Sequence, residues 1–282
     1  MPWEGCPPDE IDPEQVPGIP IRDGWPRGAT SDDTAQLLLV AGHLVAHDGQ
    51  VSEREFLAEL SRQLPTMRGV GTTTRAAVER YRQSGEIRAT SGDTNGALMR
   101  ILPAGWAIPA THAERRREVV TRLTQVTHGG SAAVAAACAV AAMSSYALEG
   151  CAAAELITIA LEEFDVAAGE NPAVAVRMQN LRGAADGTWR PGAGGVTLDA
   201  ADTLAAVVHV LATCGEDADE AMRYAVGLGG DTDTVAAITG GILGCRDVGV
   251  EIEWLDRVEV PDAAELDRLA EGLRGVRRAA YA

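Results

Sequence analysis

The chain has 282 residues, is 46% hydrophobic and only 4% aromatic, and carries a formal net charge of −17. This is enough apolar sequence for one large core, read as a single domain spanning residues 1–282, and the acidity excludes a nucleic-acid binder or a protein riding on an anionic membrane. All 24 cationic side chains are arginines, which also excludes Schiff-base lysine chemistry and a phosphate-loop lysine.

Residues 1–30 are rich in Pro, Gly and acidic side chains and predict an extended loop. Helical spacing then begins. Thr34–Ala46 places Leu37, Leu38, Ala41, Leu44 and Val45 on one stripe. Ser52-x-x-Glu55 is a capping-box pattern opening Ser52–Leu64. Thr73–Gln83 follows a Gly-x-Gly turn, and Ala113–Thr127 is amphipathic, with Arg115–Arg117 expected on its wet side. Ser131–Leu148 and Ala152–Val166 form a pair broken at Glu149-Gly150. Ala173–Leu181, Leu198–Cys214, Ala218–Val226, Thr232–Leu243 and Ala263–Arg274 complete the set. No alternating strand and no internal repeat is present, so the expected class is all-α, with ten to thirteen helices. The longest apolar run, Ser131 to Met143, is mostly Ala and reads as too short and too weakly hydrophobic to span a bilayer. Cys6, Cys138, Cys151, Cys214 and Cys245 are scattered, with no C-x-x-C pair. They read as small buried hydrophobes of a reducing, cytoplasmic compartment, and no signal peptide is visible.

Two junctions between loop and helix carry the chemistry. Ser31-Asp32-Asp33-Thr34 fits a helix N-cap, where Ser and Asp favour the positive end. Gly229-Gly230-Asp231-Thr232-Asp233-Thr234 exceeds that requirement, because a cap needs one oxygen and carboxylates this close repel unless a cation or proton intervenes. Together the clusters offer four carboxylates and two hydroxyls. Such an all-oxygen set suits Mg²⁺, Mn²⁺ or Ca²⁺ and not Zn²⁺. The EF-hand spacing is missing. Gly240, Gly241 and Gly244 weaken a helix interior and predict close packing on a neighbour, with the helix of Asp32 and Asp33 as the candidate that would join the clusters.

Between the clusters lie Gly69-Val70-Gly71-Thr72-Thr73, Thr94-Asn95-Gly96-Ala97-Leu98-Met99-Arg100-Ile101-Leu102-Pro103 and Thr127-His128. With Thr30-Ser31-Asp32-Asp33-Thr34 before them and Gly230-Asp231-Thr232-Asp233-Thr234 after, this order resembles the ADP-ribosylglycohydrolase family, whose founding members remove ADP-ribose from dinitrogenase reductase. The resemblance covers most of the chain and implies a single compact, orthogonal multi-helix bundle with a two-metal cleft. Carried over, Ser31, Asp32, Asp33, Asp231, Asp233 and Thr234 would be ligands of two Mg²⁺ or Mn²⁺ ions. Gly71, Gly92, Asn95, Gly96 and His128 would line the ADP-ribose pocket. Asp32, Asp33 and Glu4 are the catalytic candidates.

Two departures stand out. The family opens with a helix and a Gly-Asp-Ala-Leu-Gly-x-Pro-x-Glu segment, whereas this chain reads Met1-Pro2-Trp3-Glu4. The first family helix is thus expected to be missing. Glu4 reads either as the glutamate beside the scissile bond or as a frayed terminal residue. Some arginine-specific members place an acid where this chain has Gly69, which counts against an ADP-ribosylarginine substrate.

Other candidates have plainer readings. His43 and His47 lie four apart with no Glu between them and read as a surface or half-buried pair. Arg100 is open between an ion-pair role and phosphate binding. Trp3, Trp25, Trp106, Trp189 and Trp254 are spread out and read as core or loop anchors, with one able to stack on a base. The combined reading is a metal-dependent hydrolase of an ADP-ribosyl or related ribosyl N- or O-glycosidic bond, expected as a monomer. Its partner would be an ADP-ribosylated protein or a small ribosyl metabolite. The rival is an inactive family member that binds such ligands.

Overall fold

The computed structural model describes residues 2–21, 24–246 and 255–281; Trp254 lies outside them. Thirteen α-helices make up the described structure: α1 Asp32–Ala46, α2 Glu53–Gln63, α3 Thr72–Ser84, α4 Leu102–Ala107, α5 Ala113–Gln125, α6 Ser131–Leu148, α7 Ala153–Ala168, α8 Pro172–Ala175, α9 Met178–Ala185, α10 Ala200–Cys214, α11 Ala218–Gly227, α12 Thr232–Arg246 and α13 Ala263–Ala279. Among the described residues there is no strand, only isolated bridges. The expected all-α class holds.

Helix α6 is the axis of the core. Its alanines favour helix strongly and are small enough for α4, α5, α7, α10 and α12 to pack around it. Every residue from Ala135 to Ser145 is buried. At 18 residues α6 is, by length and composition, able to cross a membrane, so the expectation that it is too short is corrected. What marks it as a core helix is that 78% of it is buried among its neighbours.

Close approach sets the packing of α4 on α6. A Cβ on Gly105 would stand 1.9 Å from Ser144 Oγ and 2.2 Å from the Ala141 carbonyl oxygen. Gly105→Ala is therefore expected to destabilise by about 3 kcal/mol in urea denaturation. Gly244→Ala, where nothing lies within 4 Å of the new atom, is expected to be neutral or stabilising by up to ~1 kcal/mol. The glycines of α12 do not serve α1 as expected: Gly241 abuts Leu102 of α4 and Gly240 abuts Met222 of α11. Helix α12 does touch α1.

Other local expectations are corrected. Ser52 makes no side-chain cap, and the reciprocal half of the box is diverted as well: Ser52 N–H donates to His43 Nε2 at 3.1 Å while Glu55 pairs with His47 at 3.1 Å. The Ala173–Leu181 segment is split into α8 and α9, where Arg177 N–H bonds Val174 O and Asn180 N–H bonds Arg177 O, three residues back. Helix α10 starts at Ala200, capped by Asp199, which accepts from Ala201 and Asp202. Arg116 is not on a wet face: it is 1% exposed, donates to the carbonyls of Pro109 and Ala110 and stands 3.8 Å from Glu163. Arg117 makes the forked contact with that glutamate, at 2.6 and 3.1 Å.

Candidate active site

The two aspartate clusters meet at the N-terminal ends of α1 and α12. On α1 the cap reading fails in detail. Ser31 occupies the N-cap position without capping, and its hydroxyl donates to Asp33 Oδ2 at 2.8 Å. The backbone there is fixed by Asp32 N–H donating to Arg68 O at 2.7 Å, which ties α1 to the Gly69-Val70-Gly71 loop.

The second cluster is held by the segment around Val196. Val196 N–H donates to Gly229 O, and Asp231 N–H donates back to Val196 O, both at 3.0 Å. Gly230 makes this possible: its φ is +70°, and a Cβ would fall 2.1 Å from Val196 O. A few residues on, Leu198 O accepts from Asn95 N–H at 2.9 Å, and Ala200 N–H donates to Asp93 O at 2.8 Å. One short stretch thus clamps both the Asn95 loop and the Asp231 loop.

Glu4 is not frayed. Gly5 N–H donates to Gly230 O, and Gly230 N–H donates to Cys6 O, both at 2.8 Å. This pairing brings Glu4 to the second cluster, where one carboxylate oxygen each from Glu4, Asp231 and Asp233 lie within 4.8 Å of one another.

Glu4, Asp32, Asp33, Asp231 and Asp233 all face one cavity of about 260 Å³. Its other walls are Gly71, Asn95, Gly96, His128 and Thr234, as expected, together with Thr72, Thr73, Thr74 and Thr94. Gly92 stands behind the wall, its carbonyl accepting from Gly130 N–H at 3.1 Å. Asn95 points its amide at Asp231 Oδ2 and at Thr203 Oγ1, 2.8 Å away, so it positions a carboxylate rather than only lining a pocket. The threonine hydroxyls were not expected as site residues, although their run after Gly71 was the available signal.

Electrostatically the cluster is starved of counter-charge. Burial first, then Asp233, pushes the Asp32 carboxyl up to about 6. The same two causes push Asp231 up to about 7. Asp33 is raised well above the usual range by burial and by Asp233, Asp32 and Asp231. Asp33 Oδ1 and Asp233 Oδ1 are buried without a hydrogen-bond partner. Buried, converging, unpaired carboxylate oxygens with hydroxyls beside them are a fitting donor set for hard divalent cations.

The nearest buried cation, Arg100, does not bind phosphate. It is fully buried and donates to Gln36 Oε1 at 2.8 Å, to Leu123 O at 3.0 Å and to Thr127 Oγ1 at 2.7 Å. Gln36 passes the contact on, donating to Asp32 Oδ2 at 2.6 Å. Thr127 Oγ1 lies 2.7 Å from His128 Nδ1, and His128 Nε2 lies 3.0 Å from Thr94 Oγ1. Thr94 donates to Thr73 Oγ1 at 3.0 Å. The assignment that satisfies every group has Thr127 donating to Nδ1 and a proton on Nε2 donating to Thr94. Burial and Arg100 lower His128 to about 3, so its ring is neutral at physiological pH.

His43 and His47 lie outside this site, their rings 4.3 Å apart, with His43 Nε2 accepting from Ser52 N–H. They form a half-buried pair, as expected.

A helical domain that gathers five carboxylates at one hydroxyl-lined cavity has the build of the helical glycohydrolases. The chain belongs to the ADP-ribosylglycohydrolase family, whose model matches residues 1–282. It is similar to an uncharacterized protein of Archaeoglobus fulgidus, 28% identical over 259 residues, 87% of this chain and 80% of that one. It also resembles the uncharacterized protein YegU of Escherichia coli, 26% identical over 267 residues, 86% of this chain and 76% of that one. Among solved structures, an ADP-ribosylglycohydrolase-related protein complex is similar with a TM-score of 0.79 at 26% identity, covering 99% of this chain and 92% of that one.

Proposed function

We propose that the protein hydrolyses an N- or O-glycosidic bond to the ribose of an ADP-ribosyl or related ribosyl compound, using two Mg²⁺ or Mn²⁺ ions. The observation that carries this reading is the set of buried carboxylates with unpaired oxygens at the floor of a cavity walled by threonine hydroxyls and glycine backbone. Ser31, Asp32, Asp33, Asp231, Asp233 and Thr234 would hold the ions. When bound, these supply Lewis-acid polarisation of a ribose hydroxyl and placement of water.

The remaining work falls to the chain. Thr72, Thr73 and Thr94, with the backbone of Gly71 and Gly96, offer neutral hydrogen-bond partners for a polar ribosyl phosphate where no lysine or arginine is among the described residues of the wall. Glu4, held at the second cluster, would take the proton of the attacking water as the anomeric bond opens through an oxocarbenium-like state. Neutral His128 orients the Thr94 hydroxyl. The partner would be an ADP-ribosylated protein or a small ribosyl metabolite, and the protein would act as a monomer. Its five free cysteines accord with a reducing, cytoplasmic setting.

A panel of ADP-ribosyl and ribosyl compounds, incubated with Mg²⁺ or Mn²⁺, tests the reading. Asp231→Ala is expected to lower kcat more than about a hundredfold while ADP-ribose still binds in calorimetry. Absence of turnover by folded, cation-supplied wild type across the panel would sink it.

A further inference from the structure

A second cavity, about 210 Å³, adjoins the first across the acidic cluster, since Asp33 and Asp233 line both. Its chemistry is opposite. Val16, Ile19, Val226 and Ala237 form apolar walls, and Trp3 and Trp25 add aromatic ones. Among the described lining residues no cation occurs, and the two shared aspartates are the only acids. Gly69, of the first cavity's wall, lies where the two linings meet: with φ +88°, a notional Cβ on it would stand 3.2 Å from Asp32 Oδ1 and 3.4 Å from Cη2 of Trp25, which lines the second. A larger residue there would part the indole from the carboxylates.

We propose that this second cavity receives the leaving group, and that the enzyme selects a neutral, apolar group of one aromatic ring. The inference rests on the hydrolytic reading above. A bond that straddles Asp33 and Asp233 puts the ribose over the carboxylates, its polar half among the threonines and the released half among the tryptophans. Size agrees, because an apolar cavity of about 150 Å³ already holds a benzene ring. Charge agrees too. A guanidinium or ammonium would lose its hydration with no acid among the described lining residues to receive it except the pair already committed to the site. A free phosphate would meet no cation among the described lining residues. In the reaction, the oxygen of water bonds to the anomeric carbon. The bond to the leaving group breaks with its electron pair, and the leaving group departs carrying one proton from the water.

The test uses three 1-O-substituted ADP-ribose compounds, methyl, benzyl and guanidinoethyl, with the full chain and Mg²⁺ or Mn²⁺. Methanol and benzyl alcohol are of similar acidity, so a difference between them reports binding rather than leaving-group chemistry. The benzyl compound is expected to exceed the methyl by at least about a hundredfold in kcat/KM, with the guanidinoethyl compound poorest. Ala237→Leu, which fills the cavity, and Trp25→Ala, which removes a wall on a loop outside the acidic helices, are each expected to cut that benzyl-to-methyl ratio at least tenfold. Equal rates for all three, or preference for the guanidinoethyl compound, would overturn the proposal. Binding is followed separately by benzamide quenching of tryptophan fluorescence, which needs no turnover. Quenching that is lost in Ala237→Leu supports the cavity even if nothing is hydrolysed, in which case it is the hydrolytic reading that fails. No quenching in wild type overturns the cavity itself.

Discussion

Stripped of divalent cations, the protein will lose thermal stability as pH rises from about 6.5 to 8, and Mg²⁺ or Mn²⁺ will restore it. Asp231, held up to about 7, Asp32, held up to about 6, and Asp33, also raised, keep protons in the fold that an unfolded chain releases near pH 4. A folded state that binds more protons than the unfolded one is most favoured at low pH, and it loses that advantage as pH climbs through the raised values. Each such proton is worth about 1.4 kcal/mol per pH unit. His43 and His128 are lowered by burial, to about 4 and about 3, and act in the opposite direction. They bind fewer protons folded than unfolded, so their contribution rises with pH, and it is complete near their unfolded value of about 6.5. The window above that value therefore separates the carboxylates from the histidines, and the thiols of Cys138, Cys151, Cys214 and Cys245, raised chiefly by burial, add in the same direction only toward its upper end, where an unfolded thiol begins to ionise. Asp231 and Asp32 alone make the loss across this window about 1 kcal/mol, which corresponds to a fall in Tm of about 2 °C or more. Cations compete with the protons, so the Tm gain from saturating Mg²⁺ should be larger at pH 8 than at pH 5. Scanning fluorimetry in EDTA and in Mg²⁺, repeated with Asp231→Asn, measures this. A gain that is larger at pH 5, or none with Mg²⁺ or Mn²⁺, would contradict the cation site.

The second cluster was legible because its chemistry is local, whereas the first read as a cap until the two were taken together. Two aspartates two apart beside a hydroxyl overfill a cap wherever they sit, and glycines before Asp231 announced a tight turn. What holds the clusters together was not legible. Glu4 is placed by backbone bonds to Gly230, a pairing across most of the chain that leaves no mark on side-chain pattern. Helix α4 was missed because six residues containing Pro103 and Gly105 are too few to display a period and too apolar to display a face. Two misses had signals. Arg116 lies three, four and seven residues before the buried Val119, Val120 and Leu123, the spacing of a shared face. Gln36 is one turn after Asp32 and shares its face with the buried Leu39 and Val40. Reading charge as wet overrode periodicity at Arg116, and Gln36, an uncharged residue between aspartates and leucines, was not singled out.

Arg100→Met will destabilise the fold by about 3–5 kcal/mol and weaken divalent-cation binding at least about tenfold. The stability cost follows from burial. Met removes the donor on which Gln36 Oε1, Leu123 O and Thr127 Oγ1 all depend, and leaves each acceptor in a space that water does not reach. Burial pulls the guanidinium down only to about 10, so the group lost is a charged one. The cation effect follows from the contacts beyond it. Gln36 holds Asp32 at 2.6 Å, and Thr127 holds His128, so both walls of the cavity lose their anchor together. Arg100→Lys keeps the charge but cannot fork between Gln36 and Thr127, and should show the cation effect with a smaller stability loss. Arg116→Met supplies the comparison. Arg116 is equally buried but bonds Pro109 and Ala110 in the turn before α5, so it should cost stability and leave cation affinity unchanged. Urea denaturation and Mn²⁺ calorimetry, at a temperature where all variants are folded, separate the two effects. If Arg100→Met and Arg116→Met leave cation affinity equally intact, Arg100 supports the core alone and the relay to Asp32 has no part in the site.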